Sequence, residues 1–185
     1  MALTYSSMLP LGTQLINFDL PNTITGQNYS STDIATDRPV LIMIICNHCP
    51  YVVHYHDELK RLHHDFSEQT SFVAISSNDV VNYPEDSPEK MKELWHELGF
   101  SFPYLYDETQ TVAKAYQAEC TPEFYLFDAK HNLAYRGRCD ATSPKSNEEP
   151  NGEDLRAAIN ATINEQPVNS EQFPSMGCNI KWRQI

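Results

Sequence analysis

The chain has 185 residues, 41% of them hydrophobic and 21% charged, with a formal net charge of −12. That length suits one domain, residues 1–185, around one sizeable core. The acidic balance excludes nucleic acid and anionic membrane as natural partners, since both need a basic surface. No segment has the apolar length needed to span a bilayer. The opening "MALTYSSMLPLGTQL" has neither a positive start nor a continuous apolar stretch. It therefore predicts no secretory signal and a cytoplasmic protein. Five cysteines is an odd number in a chain too large to need staples. In a reducing compartment such cysteines are free, catalytic or metal-bound rather than structural.

In chain order, a short strand is expected from Leu15 to Leu20, followed by the turn-rich "LPNTITGQNYSSTD". "PVLIMIIC", from Pro39 to Cys46, is apolar without alternation, as in a strand buried on both faces at the centre of a sheet. A helix should begin at Cys46-Asn47-His48-Cys49-Pro50. Val52, Tyr55, Leu59, Leu62 and Phe66 then recur at steps of three and four and form one apolar stripe. Pro50 suits the first turn, where its missing N–H costs nothing. "SFVAISS", residues 71–77, is the next strand. "DSPEKMKELWHELGF" reads as a helix capped by Asp86 or Ser87 and stopped by Gly99. A third helix is expected to open at Asp107 and run through Tyr116. "EFYLFDAKHNLAYRGR" reads as a β-hairpin turning near Ala129 to Asn132. After a polar loop, "EDLRAAINATINE" is a last amphipathic helix. The tail, residues 166–185, lacks periodicity but carries Phe173, Met176, Cys178, Ile180 and Trp182, so it should pack on the body. Strands alternating with helices and ending in a hairpin predict an α/β fold: a mixed central sheet with helices on both faces, an N-terminal strand extension and a C-terminal tail.

The chemistry concentrates in "ICNHCPYVVHYH". With Cys46 at the strand-to-helix junction, Cys49 falls on the same face three residues on, close enough for a disulfide. Cys46 should feel the positive helix end and its unpaired N–H groups, which favour a thiolate. His48 adds to this when protonated. Cys46 is thus expected to attack and Cys49, shielded by the helix, to resolve. The alternative is two small apolar residues packed beneath a helix. Cys120-Thr121-Pro122-Glu123 precedes the strand "FYLF". A proline opening a strand sits at an edge or is cis. Beside a dithiol, a cis-proline would leave the preceding backbone free to pair with an extended substrate chain.

The order of elements, the CxxC after the central strand and the Thr-Pro before the hairpin resemble the thioredoxin superfamily. More narrowly, "INFDLPNTITGQNYSSTD", "ICNHCPYV", "TPEFYLFD", "YRGRCD" and "GCNIKW" resemble the peroxiredoxin-like branch of the AhpC/TSA (redoxin) group. The resemblance covers nearly the whole chain. It implies a thioredoxin-like fold and a thiol–disulfide oxidoreductase. The partners would be a protein or small-molecule thiol or disulfide substrate and a cellular dithiol reductant or oxidant. No organic cofactor is implied.

Departures from the superfamily pattern are informative. Thioredoxin carries Trp before its first cysteine and Pro within the motif, whereas here Ile45 and Asn47-His48 stand there. His48 directly before the second cysteine resembles strongly oxidising disulfide donors, which implies a stable Cys46 thiolate. "VLIMII" offers no buried acid of the kind thioredoxin uses to deprotonate its second cysteine. Counting back from Cys49, the positions where a peroxiredoxin needs Thr or Ser and Pro hold Cys46 and Ile42. Efficient peroxidase activity is therefore not expected, though slow peroxide turnover by a reactive thiol is compatible with the site.

In such a fold Cys120 would lie near the dithiol, as a third redox partner or a small buried residue. Cys139 should fill a core position. Cys178 lies in a tail long enough to fold back over the site, where it would be an additional resolving thiol. The histidines invite a copper or zinc reading through the same cysteines. His54, Arg61 and His64 point off the apolar stripe, however, and His56 and His63 lie near Lys60, so four converging ligands are not expected. A redox-sensing binding module is the remaining alternative.

Overall fold

The computed structural model describes residues 3–184. The chain runs through β1 (Leu3–Tyr5), β2 (Asp19–Pro21), β3 (Asn28–Ser30), β4 (Val40–Ile44), α1 (Pro50–His54), α2 (His56–Phe66), β5 (Ser71–Ser76) and α3 (Pro88–Leu98). It continues through β6 (Tyr104–Tyr106), α4 (Thr111–Ala115), β7 (Cys120–Thr121), β8 (Glu123–Phe127), β9 (Leu133–Gly137), α5 (Glu153–Ile163) and β10 (Met176–Asn179).

The main sheet has five strands in the order β6-β5-β4-β8-β9. β4 lies in its middle, parallel to β5 and antiparallel to β8. Its uninterrupted apolar run follows from that position, because both faces are covered. Leu41, Met43 and Ile45 join one core with residues of α1, α2, α3 and α5. Val40, Ile42 and Ile44 join a second core with Val112 and Ala113 of α4 and with Leu9, Phe18 and Ile34 of the N-terminal segment. The expected mixed sheet with helices on both faces is therefore present.

The stripe Val52, Tyr55, Leu59, Leu62, Phe66 is buried throughout. The helix is nonetheless broken at Tyr55, whose φ of −95° and ψ of 0° end α1 and start α2. The Tyr55 hydroxyl donates to Asp140 Oδ1 at 3.0 Å and to the Thr142 carbonyl at 2.9 Å. His54 is half-buried, and its Nε2 sits 2.8 Å from Thr142 Oγ1.

Two boundaries differ from expectation, and a third is resolved between two candidates. The strand expected from Leu15 shrinks to Asp19–Pro21, which pairs antiparallel with β3, while Gln14 makes only an isolated bridge to Asn132. Helix α4 starts at Thr111 rather than Asp107. The buried Asp107 carboxylate instead accepts from the Ser77 hydroxyl and the Ala113 N–H, so it caps from a distance. Ser87 alone caps α3, accepting from the Lys90 N–H at 3.4 Å, which leaves Asp86 for another task.

The C-terminal segment forms β10, the middle strand of a second sheet in the order β1-β10-β7. Cys178 faces Leu3 on one side and Thr121 on the other.

Candidate active site

The site lies where β4 runs out. Ile44 ends the strand, Cys46 and Asn47 lead away from it, and Cys49 is the residue that caps α1, with Pro50 in the first helical position. Here the structure corrects the expected placement, since Cys49, not Cys46, sits at the helix start. Both thiols are buried, Cys46 at 2% exposure and Cys49 at 0%. No disulfide joins any of the five cysteines.

The Thr121–Pro122 peptide is cis and crosses over the pair. Thr121 Oγ1 lies 3.5 Å from Cys46 Sγ, and the Cys49 thiol lies 3.2 Å from the Thr121 carbonyl, to which it donates when protonated. The edge beside this proline was expected to be open to a substrate chain. It is instead taken by β10, with Cys178 opposite Thr121 and Asn179 opposite Cys120.

Electrostatics divide the two thiols. Cys49 is pulled down to about 4, chiefly by the hydrogen bond from the Cys46 thiol. Hydrogen bonds from Thr121 and from the thiol and backbone N–H of Cys178 add to this and outweigh burial. Cys46 is pushed up by that same bond to Cys49, by burial and by the Asp86 carboxylate. These groups favour the negative charge on Cys49 and the proton on Cys46. The sequence points to Cys46 as the ready thiolate; the donors around Cys49, against a carboxylate beside Cys46, favour the charge on Cys49 instead.

Asp86 is the residue that sequence reasoning missed. Fully buried, it accepts from the Asn47 N–H at 2.8 Å, the His48 N–H at 3.3 Å and Asn78 Nδ2 at 2.7 Å. His48 Nδ1 lies 2.7 Å from its Oδ2, and the His48 ring stacks on Tyr83 at 5.7 Å. Asn47 is held from both sides: its Nδ2 donates to the Glu85 carbonyl, and its Oδ1 accepts from the Tyr104 hydroxyl. The two residues between the cysteines are therefore rigidly placed. The only local signal for this role was an acid in the "YPEDSP" turn, where a helix cap is the simpler reading.

Cys46, His48 and Asp86 present ligand atoms within 4.8 Å of one another. A thiol, an imidazole and a carboxylate suit zinc or copper. This set differs from the His54 and His56 neighbourhood that the sequence brought to attention.

Of the other cysteines, Cys120 faces Ser175, its Sγ 3.9 Å from that carbonyl, and burial pushes its thiol up strongly. Next to it the buried Glu123 is pushed up to about 7 by burial, while its carboxylate accepts from the Glu119 and Cys120 N–H groups. Cys139 is fully enclosed in the core beneath α5. Cys178 reaches the dithiol. On the far side of Pro122 a cavity of about 170 Å³ is lined by Tyr5, Tyr55, Phe124, Arg138 and Met176 among others.

A dithiol at the end of a central strand, facing a cis-proline from the strand next door, defines a thioredoxin-like protein of the thiol-redox class. A model of the AhpC/TSA family matches residues 11–136, and the chain belongs to that family. Among solved structures, an uncharacterized conserved protein from Geobacillus kaustophilus is 49% identical, with a TM-score of 0.97 over 100% of this chain and 98% of that one. A hypothetical protein from Sinorhizobium meliloti 1021 is 37% identical, with a TM-score of 0.95 over 98% and 100%. A secreted Mycobacterium tuberculosis disulfide oxidoreductase shares the fold at 14% identity, with a TM-score of 0.59 over 78% of this chain and 95% of that one. No curated protein matches the chain significantly. Among the described residues, no helix is long and apolar enough to cross a membrane.

Proposed function

We propose that the protein is a cytoplasmic thiol–disulfide oxidoreductase whose working pair is Cys46 and Cys49. The observation that carries this reading is the placement of two buried thiols three residues apart beside the cis Thr121–Pro122 peptide, Cys46 Sγ 3.5 Å from Thr121 Oγ1 and Cys49 Sγ 3.2 Å from the Thr121 carbonyl. Cys46, the cysteine nearer the end of β4 and ahead of the helix, attacks a substrate disulfide. As it does so its proton passes to the departing substrate thiolate, a far stronger base than Cys49, and the first substrate thiol leaves. Cys49 then attacks Cys46 Sγ, closes the Cys46–Cys49 disulfide and expels the second substrate thiolate. Two electrons pass from the pair to the substrate, and the reverse sequence oxidises a dithiol. His48 and Asp86 fix the loop and set the charge beside Cys46, while Thr121 and Pro122 shape the face that a substrate meets.

Reduction of insulin disulfides, or oxidative refolding of a reduced protein, tests this. Wild type is expected to turn over, and Cys46→Ser is expected to be inactive. Equal rates for the two would overturn the reading. The Cys46, His48 and Asp86 cluster supports a second reading, copper or zinc handling. Stoichiometric metal in protein purified without a histidine tag would favour it over exchange catalysis. A dithiol that forms and breaks its disulfide without turnover would favour a redox-sensing module.

A further inference from the structure

The strand that lies where a substrate chain would pair belongs to the protein itself. β10 runs antiparallel to Cys120–Thr121 and places Cys178 opposite Thr121. Its seat is tight. A Cβ on Gly177 would stand 1.9 Å from the Thr121 carbonyl oxygen and 2.7 Å from its carbon, so only glycine permits this approach. β10 also packs on α1, the helix that Cys49 caps. The Cys178 thiol and N–H both reach the Cys49 sulfur. An extended strand bonded to the proline edge, with a thiol against a redox sulfur, has the geometry of a bound substrate.

We propose that Cys178 is the third redox thiol of this site, presented by β10 in the position of a substrate strand, and that it exchanges with the Cys46–Cys49 disulfide to form Cys49–Cys178. This rests on the dithiol reading above. Cys178 loses its proton and attacks Cys49 Sγ. The Cys49–Cys178 bond forms, the Cys46–Cys49 bond breaks, and Cys46 leaves as a thiolate that takes up the proton. No net electrons move: the oxidised state shifts onto the C-terminal segment, and Cys46 becomes a free thiol again. The exchange is gated by the state of the pair. In the reduced protein Cys178 is held up at about 12 by burial and by its bond to the Cys49 thiolate. Once Cys49 is in a disulfide that negative charge is gone, and Lys181, which favours the thiolate, remains. β10 is thus both the occupant that an outside strand must displace and the acceptor of the disulfide when none arrives.

Mapping disulfides in the full-length chain tests this. Reduced protein is treated with diamide, which takes two electrons and two protons per disulfide formed. It is then acid-quenched, alkylated, digested without reduction and read by mass spectrometry. Wild type should give both 46–49 and 49–178 linkages, Cys46→Ser only 49–178, and Cys178→Ser only 46–49. Gly177→Ala, combined with Cys46→Ser, should lower the 49–178 yield at least ~fivefold by lifting β10 and diluting the thiol. If wild type forms 46–49 while neither it nor Cys46→Ser forms 49–178, this inference is overturned and the dithiol reading stands. If no linkage forms in any chain, both fall. An undiminished 49–178 yield in the Gly177→Ala protein would overturn the role given to the seating of β10. Because wild type carries the decisive linkage itself, the result does not depend on any variant folding.

Discussion

Cys49 and Cys139 are both completely buried thiols, yet they are driven in opposite directions. Cys139 is pushed far up, first by burial and then by the Asp140 and Glu58 carboxylates. Cys49 suffers burial too, but the donors Cys46, Thr121 and Cys178 converge on it and bring it down to about 4. Burial alone keeps a thiol neutral and inert, and preorganised donors overcome it. The difference lies in position: Cys139 follows a strand end enclosed by helix α5, whereas Cys49 caps a helix where two further segments, β7 and β10, bring polar groups against it.

The largest expected effect breaks one side of this comparison. Cys46→Ser or Cys49→Ser should each lower the rate of disulfide exchange at least ~100-fold, because either change removes one of the two sulfurs of the proposed internal disulfide. A stopped-flow exchange assay reads this directly, and residual turnover near wild type for either variant would remove the pair from the mechanism.

Next comes pH. The folded value of Cys49, about 4, lies below its ordinary 9.0. Its ionised form is therefore favoured by folding: the stabilisation is full above the unfolded value and is lost as pH falls through the folded one. Reduced wild type should exceed Cys49→Ala in urea midpoint at pH 8, and the gap should narrow steadily towards pH 4. Keeping below pH 8 avoids the opposite contribution of Cys46, whose raised value removes stability only on the alkaline side. A gap independent of pH would mean that Cys49 is not the thiolate.

Asp86→Asn sharpens the comparison by removing a carboxylate from beside Cys46. The side-chain amide keeps an oxygen for the loop N–H groups but loses the charge. Site-resolved alkylation of Cys46 should then shift its pH midpoint down by about one unit. An upward shift would show that loss of loop order outweighs the charge.

The smallest effect on chemistry is expected at the other thiol. Cys139→Ser places a hydroxyl in an apolar enclosure and should lower stability by about 1–3 kcal/mol in urea unfolding. Exchange should remain within about twofold of wild type. A large loss of exchange there would mean that Cys139 communicates with the dithiol.

Much of the frame was legible from local pattern. Continuous apolarity marked β4, and period-two and turn chemistry marked the hairpin of β8 and β9. Pro88 and Gly99, the latter at φ +73°, bounded α3. Cys46, Cys49 and Thr121-Pro122 were recognisable because their spacing is itself the signal. Asp86 was not, since its bond to the Asn47 N–H crosses 39 residues of sequence, and in isolation an acid before a helix reads as a cap. The roles of His54 and Asp107 were hidden for the same reason: their partners Thr142 and Ser77 lie 88 and 30 residues away in sequence. Strand β10 carried no periodicity at all. At four residues with a glycine inside, it exists only because β1 and β7 lie ready on either side.

By itself, then, the sequence determined the class of fold and the pair of sulfurs, because hydrophobic periodicity and motif spacing act over a few residues and survive without context. Only the tertiary structure decided which donors surround Cys49, which acid stands beside Cys46, and what pairs with the proline edge. Those outcomes depend on donors, carboxylates and strand edges brought within a few ångströms from distant parts of the chain, where electrostatic and hydrogen-bond energies fall off too steeply for sequence order to report them.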